Sequence, residues 1–226
     1  MCFAECTRNT IETNNRNKLL SPELKHLFDS NDIVLLTETW SNCYHDLNVS
    51  NFECFVLNRK EQFCSTTRSS GGIAVYIRNT YVTENTLVFQ SEDDILCIKV
   101  DGTLLGLAND LYMCLCYVVP ENSSRQALIE SHTFDRVLDL YTSLHVYSKY
   151  GSSLNFVLCG DFNSHTSNLP DFVQNDNFTN CSVLPDDYVI DEDMHRASQD
   201  SGRTNNYGHE LLDLCKQCGL RIMNGV

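Results

Sequence analysis

Two apolar runs of the chain each lead into a carboxylate. Residues 33–36 reach Glu38 through one threonine, and residues 156–159 reach Asp161 through one glycine. A charged group at the end of an apolar run is costly to desolvate unless it is paired or bound to a cation. Because strand ends in layered folds are where ligand crevices open, both carboxylates are candidate ligands of a metal ion.

An amide follows the second carboxylate two residues later. In an extended segment residues i and i+2 point to the same face, so Asp161 and Asn163 are predicted to project together while Phe162 packs the other way. Two carboxylates and an amide that converge make a hard-oxygen site suited to Mg²⁺. Many strands end in Glu or Asp for solvation alone, so the prediction rests on the combination of both segments.

The pattern of apolar residues predicts the elements that must position these side chains. Ser21-Pro22 starts a short helix, and 3.6-residue periods predict helices over residues 134–144 and 211–218. Apolar runs predict buried strands at residues 32–36, 73–77, 95–100, 111–119 and 156–159, with another beginning at 220–223. Strands that do not alternate strictly with helices predict an α+β layered sandwich rather than a doubly wound sheet.

The composition is that of a single globular domain. Of the 226 residues, 42% are apolar, the N-terminus turns polar within a few residues, and no apolar run approaches the length of about 18 residues that a membrane helix needs. The sequence therefore predicts an intracellular protein of the nucleus or cytoplasm that does not associate with membranes.

Twelve cysteines need an explanation other than disulfides in such a protein. Cys97, Cys114, Cys116 and Cys159 lie within apolar runs, where a free thiol behaves as a small buried hydrophobic group. The CxxC pair at residues 215–218 lies in a helical pattern, and no second pair or histidine occurs at zinc spacing. No structural zinc is therefore expected.

The net charge of −14 opposes simple binding to nucleic acid. Affinity for DNA normally depends on basic groups that neutralise phosphates, and carboxylates gathered for Mg²⁺ would explain only part of the acidic excess. An acidic surface also suits a basic protein partner. The charge therefore leaves DNA and a basic protein as alternative partners.

A long polar stretch, residues 164–205, shows no clear periodicity. It includes an acidic cluster formed by Asp186, Asp187, Asp191, Glu192 and Asp193. Loops of this length are either functional or mobile, whereas runs of charge are usually a solvated surface. Both interpretations of the cluster stay open.

Four segments, in this order, resemble the endonuclease/exonuclease/phosphatase family: residues 36–40 (Leu-Thr-Glu-Thr-Trp), 71–76 (Gly-Gly-Ile-Ala-Val-Tyr), 117–120 (Tyr-Val-Val-Pro) and 160–163 (Gly-Asp-Phe-Asn). Residues 196–200, 207–215 and 219–225 are similar to the endonucleases of LINE-type retrotransposons. The resemblance implies a four-layer α/β/β/α sandwich. It also implies Mg²⁺-dependent hydrolysis of phosphodiesters, with Mn²⁺ as the alternative ion and DNA as the substrate.

The resemblance gives each candidate residue a role. Glu38 is the metal-binding glutamate, and Asp161 binds metal and orients the attacking water or acts on the leaving group. Tyr117 contacts the scissile phosphate, although a buried structural tyrosine is the alternative, and the amide of Asn163 holds phosphate or water. The implied chemistry is in-line attack, with the metal neutralising charge on the oxygens. His165 does not match the family's catalytic histidine, so a loop histidine is expected there.

Other parts of the family pattern have no match here. The family carries a strand ending in Asn before the first helix and a terminal Ser-Asp-His segment, whereas residues 1–17 match nothing and the Ser-Asp-His motif is not found. We therefore expect residues 1–226 to form a single domain of this fold, incomplete at both termini. Since a positioned histidine is worth about 10²- to 10⁴-fold in rate, weak or absent nicking of DNA is expected.

Two other functions remain open at this point. The same missing residues and the acidic surface fit a catalytically inactive derivative that serves as a binding module. A phosphatase of the same family acting on small phosphoesters is the third interpretation, against which the LINE-like segments argue.

Overall fold

The computed structural model describes residues 3–6, 21–39, 48–58, 71–91, 94–123, 132–147, 154–173, 198 and 202–224. The chain forms two compact units. The first contains Met1–Val119 and Ser143–Phe162, and the second contains Pro120–Thr142 and Asn163–Val226. No helix in the described part of the chain is long and apolar enough to cross a membrane.

Strands and helices are mixed along the chain. In order they are β1 (Phe3–Cys6), α1 (Pro22–Ser30), β2 (Ile33–Thr37), β3 (Phe52–Leu57), β4 (Ile73–Arg78), β5 (Leu87–Gln90), β6 (Ile95–Val100), β7 (Leu111–Tyr117), α2 (Thr133–Tyr147), β8 (Asn155–Asp161) and α3 (Asn206–Cys218). Short 3₁₀ turns follow β4 and β6. The predicted α+β class is confirmed.

One sheet of the first unit has the strand order β1-β2-β4-β3. β1 pairs with β2 in parallel, and β4 pairs antiparallel with both β2 and β3. All five residues of β2 are buried, as predicted for a strand covered on both faces. Because Thr37 lies opposite Ile73, the residues that follow β2 lie beside those that precede β4.

Helix α1 covers one face of this sheet. Ser21 caps the helix by accepting a hydrogen bond from a backbone N–H of the first turn at 3.2 Å, and Pro22 follows it. Phe28 of α1 packs edge-on against the rings of Phe52 and Tyr76, with centroid distances of 5.2 and 4.9 Å. These ring contacts anchor α1 on strands β3 and β4.

The other sheet of the first unit has the strand order β5-β6-β7-β8. Its strands pair antiparallel except for β7 and β8, which are parallel. Strand β7 also contacts β2 and β4 of the first sheet, so the two sheets pack on each other within this unit. The layered arrangement follows the sandwich predicted from the sequence.

Free, buried cysteines belong to the core of the second sheet, as predicted. They are Cys97, Cys114, Cys116 and Cys159. The hydrogen bond with Cys114 and burial together raise the pKa of the Cys97 thiol well above its ordinary value. A thiol that stays protonated is neither a good nucleophile nor a metal ligand, so Cys97 serves as a small packing group.

The second unit contains α3 and the N-terminal part of α2. The rings of Phe134 on α2 and Tyr207 on α3 approach to 6.1 Å between centroids. Gly219 ends α3 with a left-handed backbone (φ 65°), and its N–H bonds back to the carbonyl of Cys215. This is the termination that the sequence predicts, because glycine adopts the left-handed conformation without steric cost.

The prediction of a strand at residues 220–223 is wrong, because the structure describes these residues and they form no strand. Instead, the backbone N–H of Ile222 donates to the carboxylate of Asp171 at 2.6 Å, and the guanidinium of Arg221 lies over the ring of Phe172 at 5.0 Å. A side-chain acceptor thus takes the place of a neighbouring strand.

Three strands were not predicted: β1, β3 and β5. β1 is only four residues long (Phe-Ala-Glu-Cys), and β5 is largely exposed, so neither shows the long apolar run from which buried strands were predicted. The acidic cluster at residues 186–193 lies outside the described residues, so both interpretations of it stay predictions.

Candidate active site

Glu38 lies at the first position after β2 and has an unusual backbone. Its φ is +55°, in the left-handed region that non-glycine residues rarely adopt. The next residue restores the sheet pattern, because the N–H of Thr39 donates to the carbonyl of Gly72 at 3.2 Å. Glu38 therefore interrupts the extended backbone between Thr37, which pairs with β4, and Thr39, which is bonded to Gly72.

The carboxylate of Glu38 accepts a hydrogen bond from the hydroxyl of Tyr117. The distance from Tyr117 Oη to Glu38 Oε1 is 2.7 Å, and Tyr117 is only 5% exposed. A hydrogen bond to a carboxylate is shorter and stronger than one between neutral groups. This bond joins the end of β2 in one sheet to the end of β7 in the other.

Asp161 lies beside Tyr117 on the neighbouring strand. The two residues are register partners in the parallel pair of β7 and β8, and the N–H of Val118 donates to the carbonyl of Asp161 at 2.8 Å. The carboxyl ends of parallel strands meet at the same edge of a sheet. The structure thus brings Glu38, Tyr117 and Asp161 to one edge of the first unit.

Gly160 allows this approach of β7 and β8. Its φ is +130°, and a Cβ at this position would overlap the backbone carbonyl of Cys116 on β7. Glycine is needed wherever two backbones come this close. Gly160 therefore sets the position of Asp161, which follows it directly.

Buried oxygen atoms without hydrogen-bond partners are found on the two residues that flank Glu38 and beside Gly72. Within the described residues, Thr37 Oγ1, Thr39 Oγ1 and Asn58 Oδ1 are buried and have no hydrogen-bond partner. A Cβ on Gly72 would lie 2.6 Å from Thr39 Oγ1 and 3.7 Å from Asn58 Oδ1. Glycine at this position leaves room for both oxygens, which native proteins ordinarily satisfy with protein groups, water or an ion.

The donors around Glu38 suit a hard cation in type. Carboxylate, hydroxyl and amide oxygens are the ligands of Mg²⁺, which binds through one or two carboxylates and keeps several waters. Among the described residues, no group of three or more His, Cys, Asp and Glu side chains is placed to hold a metal ion. The carboxylates of Glu38 and Asp161 are nevertheless of the ligand type that a divalent cation takes.

Asn163 belongs to the second unit. The chain leaves β8 after Asp161, and Asn163 has a left-handed backbone (φ 47°). The alternation of an extended strand, from which a common face for Asp161 and Asn163 was predicted, therefore does not extend to Asn163. The carbonyl of Asn163 accepts a hydrogen bond from Asn205 Nδ2 at 2.9 Å.

Asn205, which the sequence interpretation missed, holds the loop at residues 163–165 and begins α3. Its Oδ1 accepts from the backbone N–H groups of His165 at 2.9 Å and of Gly208 at 2.8 Å. Its own N–H donates to the carbonyl of His165 at 3.3 Å. An asparagine just before a helical period is a recognised N-cap signal, so its capping role could have been predicted, but its contacts with the loop could not.

The chain belongs to the endonuclease/exonuclease/phosphatase family, whose sequence model matches residues 9–208. Members of this family are generally hydrolytic phosphodiesterases and generally depend on divalent metal ions. No curated protein matches this chain. The family assignment agrees with the order of the four segments noted in the sequence.

A search of solved structures finds matches to parts of this chain. The human nocturnin catalytic domain with bound sulfate is 14% identical with a TM-score of 0.45, and the match covers 66% of this chain and 56% of that one. An AP endonuclease from Archaeoglobus fulgidus is 19% identical with a TM-score of 0.35, and the match covers 65% of this chain and 51% of that one. AP endonuclease LMAP from Leishmania major is 15% identical with a TM-score of 0.41, and the match covers 67% of this chain and 49% of that one. The chain spans about half the length of these structures.

Replacement of Gly160 by alanine should be costly. We expect Gly160→Ala to lower the free energy of unfolding by about 3 kcal/mol or more, because a methyl group would press on the Cys116 carbonyl. The matched control is Gly106→Ala, since Gly106 also has a positive φ (69°) but has no atom within 4 Å of an added Cβ. Its cost should be about 1–2 kcal/mol. If urea unfolding shows equal losses of unfolding free energy in the two variants, the close approach of Gly160 to the Cys116 backbone is unimportant for stability.

Replacement of Asn205 should weaken the start of α3. Asn205→Ala removes an N-cap and two further hydrogen bonds, so we expect a loss of about 2–3 kcal/mol in the free energy of unfolding. Asn206→Ala, at the exposed next position, is the control and should change stability by less than about 0.5 kcal/mol. A loss no larger than that of the control would contradict the clamping role of Asn205.

Proposed function

We propose that this chain is a Mg²⁺-dependent phosphodiesterase domain that acts on DNA as an endonuclease of the retrotransposon type. The observation that carries the proposal is the contact between Glu38 and Tyr117 beside Asp161 at one edge of the sheets. The DNA substrate and the retrotransposon type rest on the resemblance of the sequence segments. Mn²⁺ would serve as an alternative ion, because it prefers similar oxygen ligands.

The residues of the first unit have complementary roles in this proposal. Glu38 and Asp161 would hold the metal ion, which when bound would neutralise charge on the phosphate oxygens. Tyr117 fixes the rotamer of Glu38 through its hydroxyl and, by resemblance, contacts the scissile phosphate. Asp161 orients the attacking water, and Asn163 is assigned phosphate or water binding on the family pattern alone.

A binding module that lacks catalytic activity is the second candidate function. The net charge of −14 favours it, because DNA binding normally needs a basic surface. In this alternative, the bond between Tyr117 and Glu38 is a structural tie between the sheets. Metal binding and phosphodiester cleavage distinguish the two candidates.

The metal site can be tested without relying on catalysis. We expect Mn²⁺, used as a paramagnetic substitute for Mg²⁺, to broaden the amide NMR signals of Glu38 and Asp161. Asp161→Asn should weaken this binding by about tenfold or more through loss of a charged ligand, and Glu84→Gln, at an exposed turn of the first unit, should leave it unchanged. Equal Mn²⁺ affinity in both variants would disprove the assignment of Asp161.

The same variants decide between the two functions in a sensitive nicking assay on supercoiled plasmid. Any Mg²⁺-dependent nicking should fall by about 10²- to 10⁴-fold in Asp161→Asn, if Asp161 orients the attacking water, and should persist in Glu84→Gln. Absence of both Mn²⁺ binding and nicking would favour the binding module.

Tyr117→Phe tests whether the tyrosine hydroxyl serves the metal site or only the fold. Loss of a partner that orients a metal ligand typically weakens metal binding by about 10- to 100-fold, so we expect Mn²⁺ affinity to fall about tenfold. Tyr112→Phe, on the same strand and half-buried, should not alter affinity. A decrease in the free energy of unfolding with unchanged Mn²⁺ affinity would instead assign Tyr117 a purely structural role.

A further inference from the structure

A cavity of about 310 Å³ in the second unit has an apolar floor and an acidic rim. Its floor is formed by Phe134 and Leu138 of α2 and Leu214 of α3. Phe134 and Leu214 are buried, whereas the charged groups of the rim are exposed. The carboxylates at the rim are those of Asp135, Glu210 and Asp213. His132 and Gln217 complete the lining.

The rim carries more negative than positive charge, since three carboxylates face one lysine and one histidine. Burial first, and then the charges of Asp135 and Glu121, raise the pKa of Glu210, while His132 opposes them. The nearby cations are weak partners: His132 Nδ1 lies 3.5 Å from Asp135, and Lys216 Nζ lies 3.7 Å from Asp213. A cation supplied from outside would relieve the repulsion that remains between the carboxylates.

We propose that this cavity binds an arginine side chain presented by a basic segment of a partner protein. Arginine places an aliphatic stem along apolar surface while its charged head stays at the rim. Its planar guanidinium can donate to two carboxylates at once, which the ammonium of lysine does less well. The cavity is at the small end of the range for ligand sites, about 300 Å³, which suits one side chain.

Other occupants fit the cavity less well. The acidic rim repels phosphate groups, so a nucleic acid is excluded as the occupant of this cavity. Within the described residues no set of three His, Cys, Asp or Glu side chains is arranged to hold a metal ion, so the carboxylates of the rim do not form a cation cage. A second copy of this chain carries the same net charge of −14. The proposal is independent of catalysis at the edge of the first unit.

The test is a titration of the wild-type chain with the peptide acetyl-Gly-Arg-Gly-amide, followed by methyl NMR. We expect saturable shifts confined to the methyl groups of Leu138 and Leu214 and their neighbours. The same peptide with citrulline, which keeps the shape of arginine but has no charge, should bind at least tenfold more weakly. Hydrogen bonds to charged groups are worth about 1.5–3 kcal/mol, and 1.4 kcal/mol is tenfold.

Two double variants separate the cavity from general attraction to an acidic protein. The double variant Glu210→Gln/Asp213→Asn should lower the affinity for the arginine peptide by about tenfold or more. Glu53→Gln/Glu84→Gln changes the net charge by the same amount at exposed positions of the first unit and should have little effect. Because all four side chains are exposed, the variants are expected to fold.

Three results would overturn the proposal. One is equal weakening by the two double variants, which would indicate non-specific charge attraction. Another is equal binding of the arginine and citrulline peptides, which would indicate that only the apolar stem is recognised. The third is a shift of the same methyl groups by Mg²⁺ at a lower concentration than the peptide requires, which would make the cavity a cation site.

Discussion

The hydrogen bond between Tyr117 and Glu38 ties together the two sheets of the first unit at the edge where the candidate residues lie. Tyr117 ends β7 and is almost fully buried, so its hydroxyl has to find a partner. That partner is a carboxylate carried on a left-handed backbone just past β2. The strain at Glu38 is sustained because the Thr39 N–H is already bonded to Gly72, and the register of β2 with β4 determines where Gly72 lies.

Much of this architecture could be predicted from the sequence. The burial of β2 and of the central strands of both sheets follows from their apolar runs, and the caps at Ser21 and Gly219 follow from local chemistry. The nearness of Glu38 and Tyr117 could not be predicted from spacing, since it depends on how two sheets pack. For the same reason the family resemblance assigned a role to Tyr117 without revealing its bond to Glu38.

The errors of prediction also have physical causes. Residues 220–223 look like a strand because they are largely apolar, yet Asp171 supplies the acceptor that a strand partner would supply. Strand alternation was extended to Asn163, but a left-handed backbone and the clamp of Asn205 define that residue instead. In both cases a polar side chain distant in sequence replaced a regular backbone pattern, and periodicity contains no information about such a replacement.

The acidic character of the chain acts differently in its two units. In the first unit the buried oxygens without hydrogen-bond partners on Thr37, Thr39 and Asn58 are neutral hydroxyl and amide atoms. They could bind an ion or a water molecule without adding negative charge. At the cavity of the second unit the lining groups are carboxylates around an apolar floor, which disfavours any anion. If the first unit handles phosphodiesters, a cation bound at Glu38 and Asp161 would add positive charge there, while the second unit is suited to recognise a basic partner.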